Sequence, residues 1–281
     1  MTTQTITTIT PTHKAVQEHY GKLASESKSC CEPAVGSKET GNLLYPKDLL
    51  HGLPPDIVNF TAGSGDPITL AKLQPGETVL DLGSGGGLDC FLAARQVGES
   101  GHVIGVDMTP EMLARARSNA DRLKMGNVEF RQGFLENLPV EDESIDAIVS
   151  NCVINLSPDK PQVIREMYRT LKPGGRIALS DIVTNRPIPE KALQGKEDWC
   201  GCVSGALPYR EYIDELGRAG FEQILLEPNL EMVETAIEND QVRMEGGKKP
   251  SKEELIDKIL NWEKLEGNMF VPYKISARKP A

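Results

Sequence analysis

The chain has 281 residues, 39% hydrophobic and 26% charged, and carries a formal net charge of −10. That charge argues against nucleic acid, because a phosphate-binding surface needs a basic footprint. No apolar run approaches the roughly 18 residues of a membrane helix, and the opening MTTQTITTITPTHK has neither region of a secretory signal. The expectation is a soluble, cytoplasmic chain whose six cysteines are thiols rather than a disulfide framework.

Residues 1–72 read as an N-terminal segment: a helical stretch at His13–Ser25, then polar Ser25–Asn42 carrying Cys30 and Cys31. Its Ser, Lys, Glu and Gly content predicts a loop too poor in apolar residues to pack rigidly. From residue 73 strands and helices alternate. Thr78–Leu82 is a short apolar run of the kind buried in a parallel sheet. Gly87–Val97 follows with helical spacing and Gly98 as its stop. Val103–Asp107 is the next strand, and Thr109-Pro110-Glu111 opens a helix expected to end at Gly126. Asn127–Gln132, Ile145–Ser150 and Arg176–Val183 complete the strand set, with a helix at Pro161–Leu171 closed by Lys172-Pro173-Gly174-Gly175. Residues 184–220 look helical, clearest over Glu211–Ala219. Phe221–Glu227 and Val271–Arg278 read as two strands able to pair antiparallel. Between them Ser251 and Glu254 open a helix with a capping-box pattern. The fold class is therefore α/β: a mostly parallel sheet with helices on both faces over residues 73–281, interrupted by helical insertions at about 184–220 and 229–268.

The junction Asp81-Leu82-Gly83-Ser84-Gly85-Gly86-Gly87 lets the backbone approach a ligand at the edge where α/β sheets bind. Gly87 comes one position early for the Gly-x-Gly-x-x-Gly spacing that seats a pyrophosphate. Asp81 suits a cation better than a diphosphate, and Asp107 ends the next strand where an acid can accept ribose hydroxyls. This set resembles the Rossmann-like class I S-adenosylmethionine-dependent methyltransferases. The resemblance implies S-adenosyl-L-methionine as cofactor, with Asp81, Gly83, Ser84, Gly85 and Gly87 around its methionine part. It further implies Asp107 on the ribose, Met108 against the adenine, Leu135 and Glu136 at the adenine's far edge, and Asn151 beside them. Many members carry Asp after the glycine matching Gly133; here Phe134 stands in that place, which shifts adenine recognition to Glu136 or the backbone.

Cys152 follows the fourth strand, at the edge facing the reaction site. Cys90 sits in the first turn of the helix after the glycine loop, where the helix N-terminus is expected to lower a thiol's pKa. Cys200 and Cys202 lie in a Cys-x-Cys pair, and the four histidines fall outside the site motifs. The segments DLGSGGGLDC at 81–90, SNCVINLSPDK at 150–160, LKPGGRIALSD at 171–181 and GCVSGAL at 201–207 resemble the arsenite S-adenosylmethionine methyltransferases. The resemblance covers roughly residues 15–227. It implies Cys152 and Cys202 as the thiols that bind arsenic, and Cys90 as a disulfide-relay thiol with Cys30 or Cys31 its partner. Cys200 has no counterpart. Arsenite, as a thiol conjugate, is then the substrate, and no general base is required, because trivalent arsenic is thiophilic and carries its own lone pair. Thioredoxin or glutathione would be the reductant, and a monomer suffices.

Two other readings remain open at this level. A small-molecule O- or C-methyltransferase would want a general base or an aromatic cradle, and aromatics are 5% of the chain. A non-catalytic thiol-based metalloid-binding protein would keep the fold without needing the cofactor. Structural zinc wants four ligands in paired spacings, which adjacent Cys and Cys-x-Cys do not supply.

Overall fold

A computed structural model of the chain describes residues 9–26, 44–189, 203, 205–238 and 250–281. Cys30, Cys31, Cys200 and Cys202, and with them the polar loop expected at 25–42, lie outside the described residues apart from the end of the first helix.

The apolar runs become strands β1 Thr78–Leu82, β2 His102–Asp107, β3 Val128–Gln132, β4 Ile145–Asn151 and β5 Leu171–Thr184. Later come β6 Leu207–Pro208, β7 Glu222–Pro228 and β8 Phe270–Arg278. They form one sheet in the order β3-β2-β1-β4-β5-β8-β7, with β6 beside β5. Strands β1 to β6 pair in parallel, and β8 runs antiparallel between β5 and β7, as the two late runs implied.

Helices connect and cover the sheet: α1 Pro11–Glu26, α2 Lys47–Leu50, α3 Pro55–Val58, α4 Pro67–Ala71, α5 Leu88–Val97 and α6 Pro110–Leu123. The remainder are α7 Lys160–Thr170, α8 Tyr209–Ala219, α9 Leu230–Glu238 and α10 Lys252–Leu260. The capping box at Ser251 and Glu254 is formed. No helix among the described residues is long and apolar enough to cross a membrane.

Side chains alternate across the sheet and build two cores. Leu80, Leu82, Ile104, Val106, Ile148 and Leu179 enter one cluster. Val79, Val103, Ala147, Val149 and Ala178 enter the other. That second core explains why α5 is buried nearly all round. Its one side packs on the sheet, and its other is covered by Leu44, Tyr45, Leu50, Ile57 and Ile68. Each large apolar side chain sealed this way contributes about 1.5–3 kcal/mol. Residues 44–73 are thus packed into the same core as the strands.

Three local expectations need correction. Lys124, not Gly126, takes the left-handed conformation that ends α6 (φ 55°), its amide closing the last turn on the Ala120 and Asp121 carbonyls. Lys172-Pro173-Gly174-Gly175 does not separate α7 from a strand at Arg176. Pairing resumes at Leu171 opposite Ile145, and the proline and glycines form an irregularity between that pair and Ala147–Arg176. The helical reading of 184–220 holds for α8, closed by left-handed Gly220. Residues 185–189 take no helix, and 190–202 lie outside the described residues.

Candidate functional site

A cavity of about 120 Å³ opens where β1, β2 and β4 end, at the sheet edge where α/β folds bind their ligands. The turn out of β1 places Gly83 at φ 69°, and a Cβ there would run into Val153, so both conformation and space demand glycine. Gly83 and Ser84 donate their amides to the Val106 carbonyl at 2.8 and 3.0 Å, tying the loop to β2. Ser84 Oγ is buried on the cavity wall and has no hydrogen-bond partner among the described residues.

Asp107 ends β2 as expected and faces this loop. The Gly85 amide donates to its Oδ2 at 3.0 Å and the Thr109 amide to its Oδ1 at 2.8 Å, so the carboxylate is aimed before any ligand arrives. Burial raises its pKa above the ordinary carboxyl value, and those amide bonds oppose the rise without cancelling it.

Of the remaining expected cofactor residues, Gly83, Ser84, Gly85, Met108, Leu135, Glu136 and Asn151 all line the cavity. Asp81 and Gly87 do not: they lie behind the loop. Asp81 shares the sheet face of Val79, so its carboxylate points into the core under α5, where the Cys90 thiol donates to Oδ2 at 3.1 Å. Burial first, and then Asp89, raise the Asp81 pKa well above the ordinary carboxyl value. The expectation for Cys90 is reversed. Burial and the Asp81 charge push its pKa well up, overriding the helix N-terminus, and the residue is 0% exposed.

An acid that the motif reading passed over lines the cavity instead. Asp89 accepts from the Tyr45 hydroxyl at 2.7 Å. Asn151 Nδ2 donates to that hydroxyl and to the Gly65 carbonyl at 2.8 Å each, while Asn151 Oδ1 accepts from the Ser64 amide at 2.8 Å. Burial pushes Asp89 to about 7, with Tyr45 and Asn151 opposing. Asp89 was legible as part of DLGSGGGLDC. Tyr45 carries no local signal.

Cys152 lines the cavity just past β4. It holds φ 61°, a strained region for a residue with a side chain. Its amide donates to Ser180 O at 2.7 Å, which fixes the turn against β5. Behind it Asp181 accepts from Asn155 Nδ2 at 2.8 Å and from the Ile182 amide at 2.9 Å. Burial pushes Asp181 to about 7, against the opposing pull of Ile182, Lys160, Asn155 and Cys152. Val16 of α1, Cys152 and Leu156 form one small apolar cluster.

The histidine expectation also needs correction. His13 lines the cavity, 5% exposed, and its Nε2 lies 3.2 Å from Glu136 Oε1.

The model for a methyltransferase domain matches residues 73–260. An arsenite methyltransferase of Halobacterium salinarum is 38% identical over 96% of this chain and 67% of its own length. The chain belongs to the arsenite methyltransferases. The family's enzymes in Aquipseudomonas alcaligenes and Homo sapiens are 40% and 42% identical, each over 74% of this chain. This chain spans 62% and 57% of their lengths. An arsenic(III) S-adenosylmethionine methyltransferase structure from Chlamydomonas reinhardtii superposes with a TM-score of 0.62 at 33% identity, covering 84% of this chain and 73% of that one.

This arsenite methyltransferase family member is an S-adenosylmethionine-dependent enzyme, and the residues present fit that cofactor. The orphaned Ser84 hydroxyl, the pre-aimed Asp107 carboxylate and the glycine cradle at Gly83 offer a donor, a diol acceptor and close backbone approach.

Proposed function

We propose that this chain methylates trivalent arsenic held as a thiolate complex by Cys152 and Cys202. S-adenosylmethionine, when bound, supplies a methyl group on a positively charged sulfur. Asp107 holds the ribose hydroxyls, Met108, Leu135 and Glu136 border the adenine, and Asp89 and Asn151 present negative and polar atoms toward the cationic end. Asp81 and Gly87 act from behind the loop, supporting its shape. Trivalent arsenic, as substrate, brings soft acid character that thiolates match and a lone pair that needs no general base. The chain's task is to hold arsenic in line with the methyl group.

The observation that carries this reading is Cys152 itself, a thiol in the cavity wall fixed in a strained turn at the end of β4. Cys202 lies outside the described residues, and its assignment rests on the likeness of GCVSGAL at 201–207 to the family's motif. The burial of Cys90 favours Cys30 or Cys31 as a third thiol ligand over a disulfide with Cys90, because exchange needs an accessible thiolate. Thioredoxin or glutathione returns the thiols to the reduced state between turnovers, which suits a cytoplasmic setting. A monomer is the state we favour.

The test is incubation with arsenite, a thiol and methyl-labelled S-adenosylmethionine, followed by arsenic speciation. Labelled methylarsenicals support the reading. Label on a carbon or oxygen acceptor, or no transfer despite cofactor binding, sinks it.

A further inference from the structure

Helix α1 lies over the cavity against α6 and the short turn Ile154–Leu156. One stripe of the helix faces inward: His13, Val16 and Tyr20, at helical spacing, line the cavity. Lys14, Glu18 and Lys22 on the other side are exposed. The helix adds no strand to the sheet. Side chains hold it.

Two polar anchors reach the cofactor walls. Gln17 Nε2 donates to the Met108 carbonyl at 2.7 Å. The second anchor is His13. The Thr10 amide donates to His13 Nδ1 at 3.2 Å, which makes Nδ1 the acceptor and leaves the ring hydrogen on Nε2. Nε2 then donates to Glu136 Oε1 at 3.2 Å, and the Ser157 hydroxyl donates to the same oxygen. The Phe134 ring sits edge-on to the His13 ring with centroids 5.0 Å apart. So the position where many related enzymes carry an aspartate is occupied here by a side chain that packs against the helix.

The same helix touches the substrate side. Val16 is buried with Cys152 and Leu156, and Tyr20 and Met108 pack against that cluster. A single rigid element thus contacts the segments assigned to adenine and the thiol assigned to arsenic.

We infer that α1 is a lid over the bound cofactor and that His13, donating to Glu136 and packed on Phe134, is the positioning residue that latches it. The inference rests on the reading of this cavity as the S-adenosylmethionine site and deepens it. An element fastened by a few side chains opens at low cost compared with the sheet. Opening admits the cofactor; closing sets Val16 and Tyr20 back against Cys152. Cofactor binding and placement of the substrate thiol are then one event.

The experiment is hydrogen exchange of the full chain with and without S-adenosylhomocysteine, paired with calorimetry of the same ligand. Amides of 11–26 should exchange about tenfold more slowly in the complex, as expected of a segment whose local opening the ligand opposes. Equal exchange with the ligand demonstrably bound overturns the lid. If calorimetry finds no binding, the cofactor reading falls and the lid falls with it. A kinetic arm uses His13→Ala and His13→Gln. Loss of the hydrogen bond in His13→Ala should raise the S-adenosylmethionine KM about tenfold, with the effect falling on KM rather than kcat. His13→Gln, which keeps a donor, should recover most of that loss. An unchanged KM in His13→Ala, or no recovery in His13→Gln, contradicts the latch.

Discussion

The Cys90 thiol donates to Asp81 Oδ2 at 3.1 Å, with both residues sealed between β1 and α5. The pair exists because Asp81 falls on the strand face that meets α5, while Gly105 on β2 leaves room for the sulfur. Removing the donor strands a buried carboxyl. Cys90→Ala should therefore lower stability by about 1–3 kcal/mol, and Cys90→Ser, which keeps a donor, by less. Urea denaturation of the three proteins measures this. In the native state Cys90 should also resist iodoacetamide. Labelling as fast as an exposed thiol would mean the helix opens readily and would restore the disulfide-relay role.

Asp107 receives the Gly85 and Thr109 amides and so faces the cavity pre-oriented. Asp107→Ala should weaken S-adenosylmethionine binding by about 10- to 100-fold, the equivalent of a charge-assisted hydrogen bond. Calorimetry showing unchanged affinity would remove Asp107 from the ribose site.

Much of this machinery follows from local pattern, and the part that does not has a common cause. Short apolar runs, the Ser251–Glu254 capping box and the acid ending β2 are decided by neighbours in sequence, and each forms. His13–Glu136, Tyr45–Asp89 and Tyr45–Asn151 join residues 123, 44 and 106 positions apart. Periodicity can say that α1 has an inward stripe, but not that the stripe meets Glu136. Cys90 illustrates the same limit. The helix N-terminus is visible in sequence, whereas the carboxyl placed opposite by β1 is a matter of register, and burial with that charge outweighs the dipole.

Asp89, raised to about 7 by burial, should link cofactor affinity to pH. A cationic ligand favours the ionised carboxylate, so binding near neutral pH releases a proton. Affinity should rise about tenfold between roughly pH 6 and 8 and then level. In the free protein the sign is opposite. A carboxyl whose folded pKa is raised contributes stability below about pH 4 that is lost as pH climbs through 7. Asp89→Asn should flatten both profiles. An equally steep affinity profile in Asp89→Asn would assign the linkage to another group.

Cys30 and Cys31 separate ligand from relay by their kinetics. With pre-reduced Cys30→Ser/Cys31→Ser protein, loss of the first methylation supports a third arsenic ligand. An intact first turnover with failed recycling supports the disulfide. Normal multiple turnover would return both to incidental thiols.

The central claim is that arsenic is delivered to the methyl group by Cys152 and Cys202. Single-turnover transfer of labelled methyl to arsenite, measured beside calorimetric cofactor affinity, tests it most directly. Cys152→Ser and Cys202→Ser should each lose methyl transfer while binding S-adenosylmethionine as the parent does. Full transfer in either variant would contradict the claim, and loss confined to Cys200→Ser would move the second ligand by two residues.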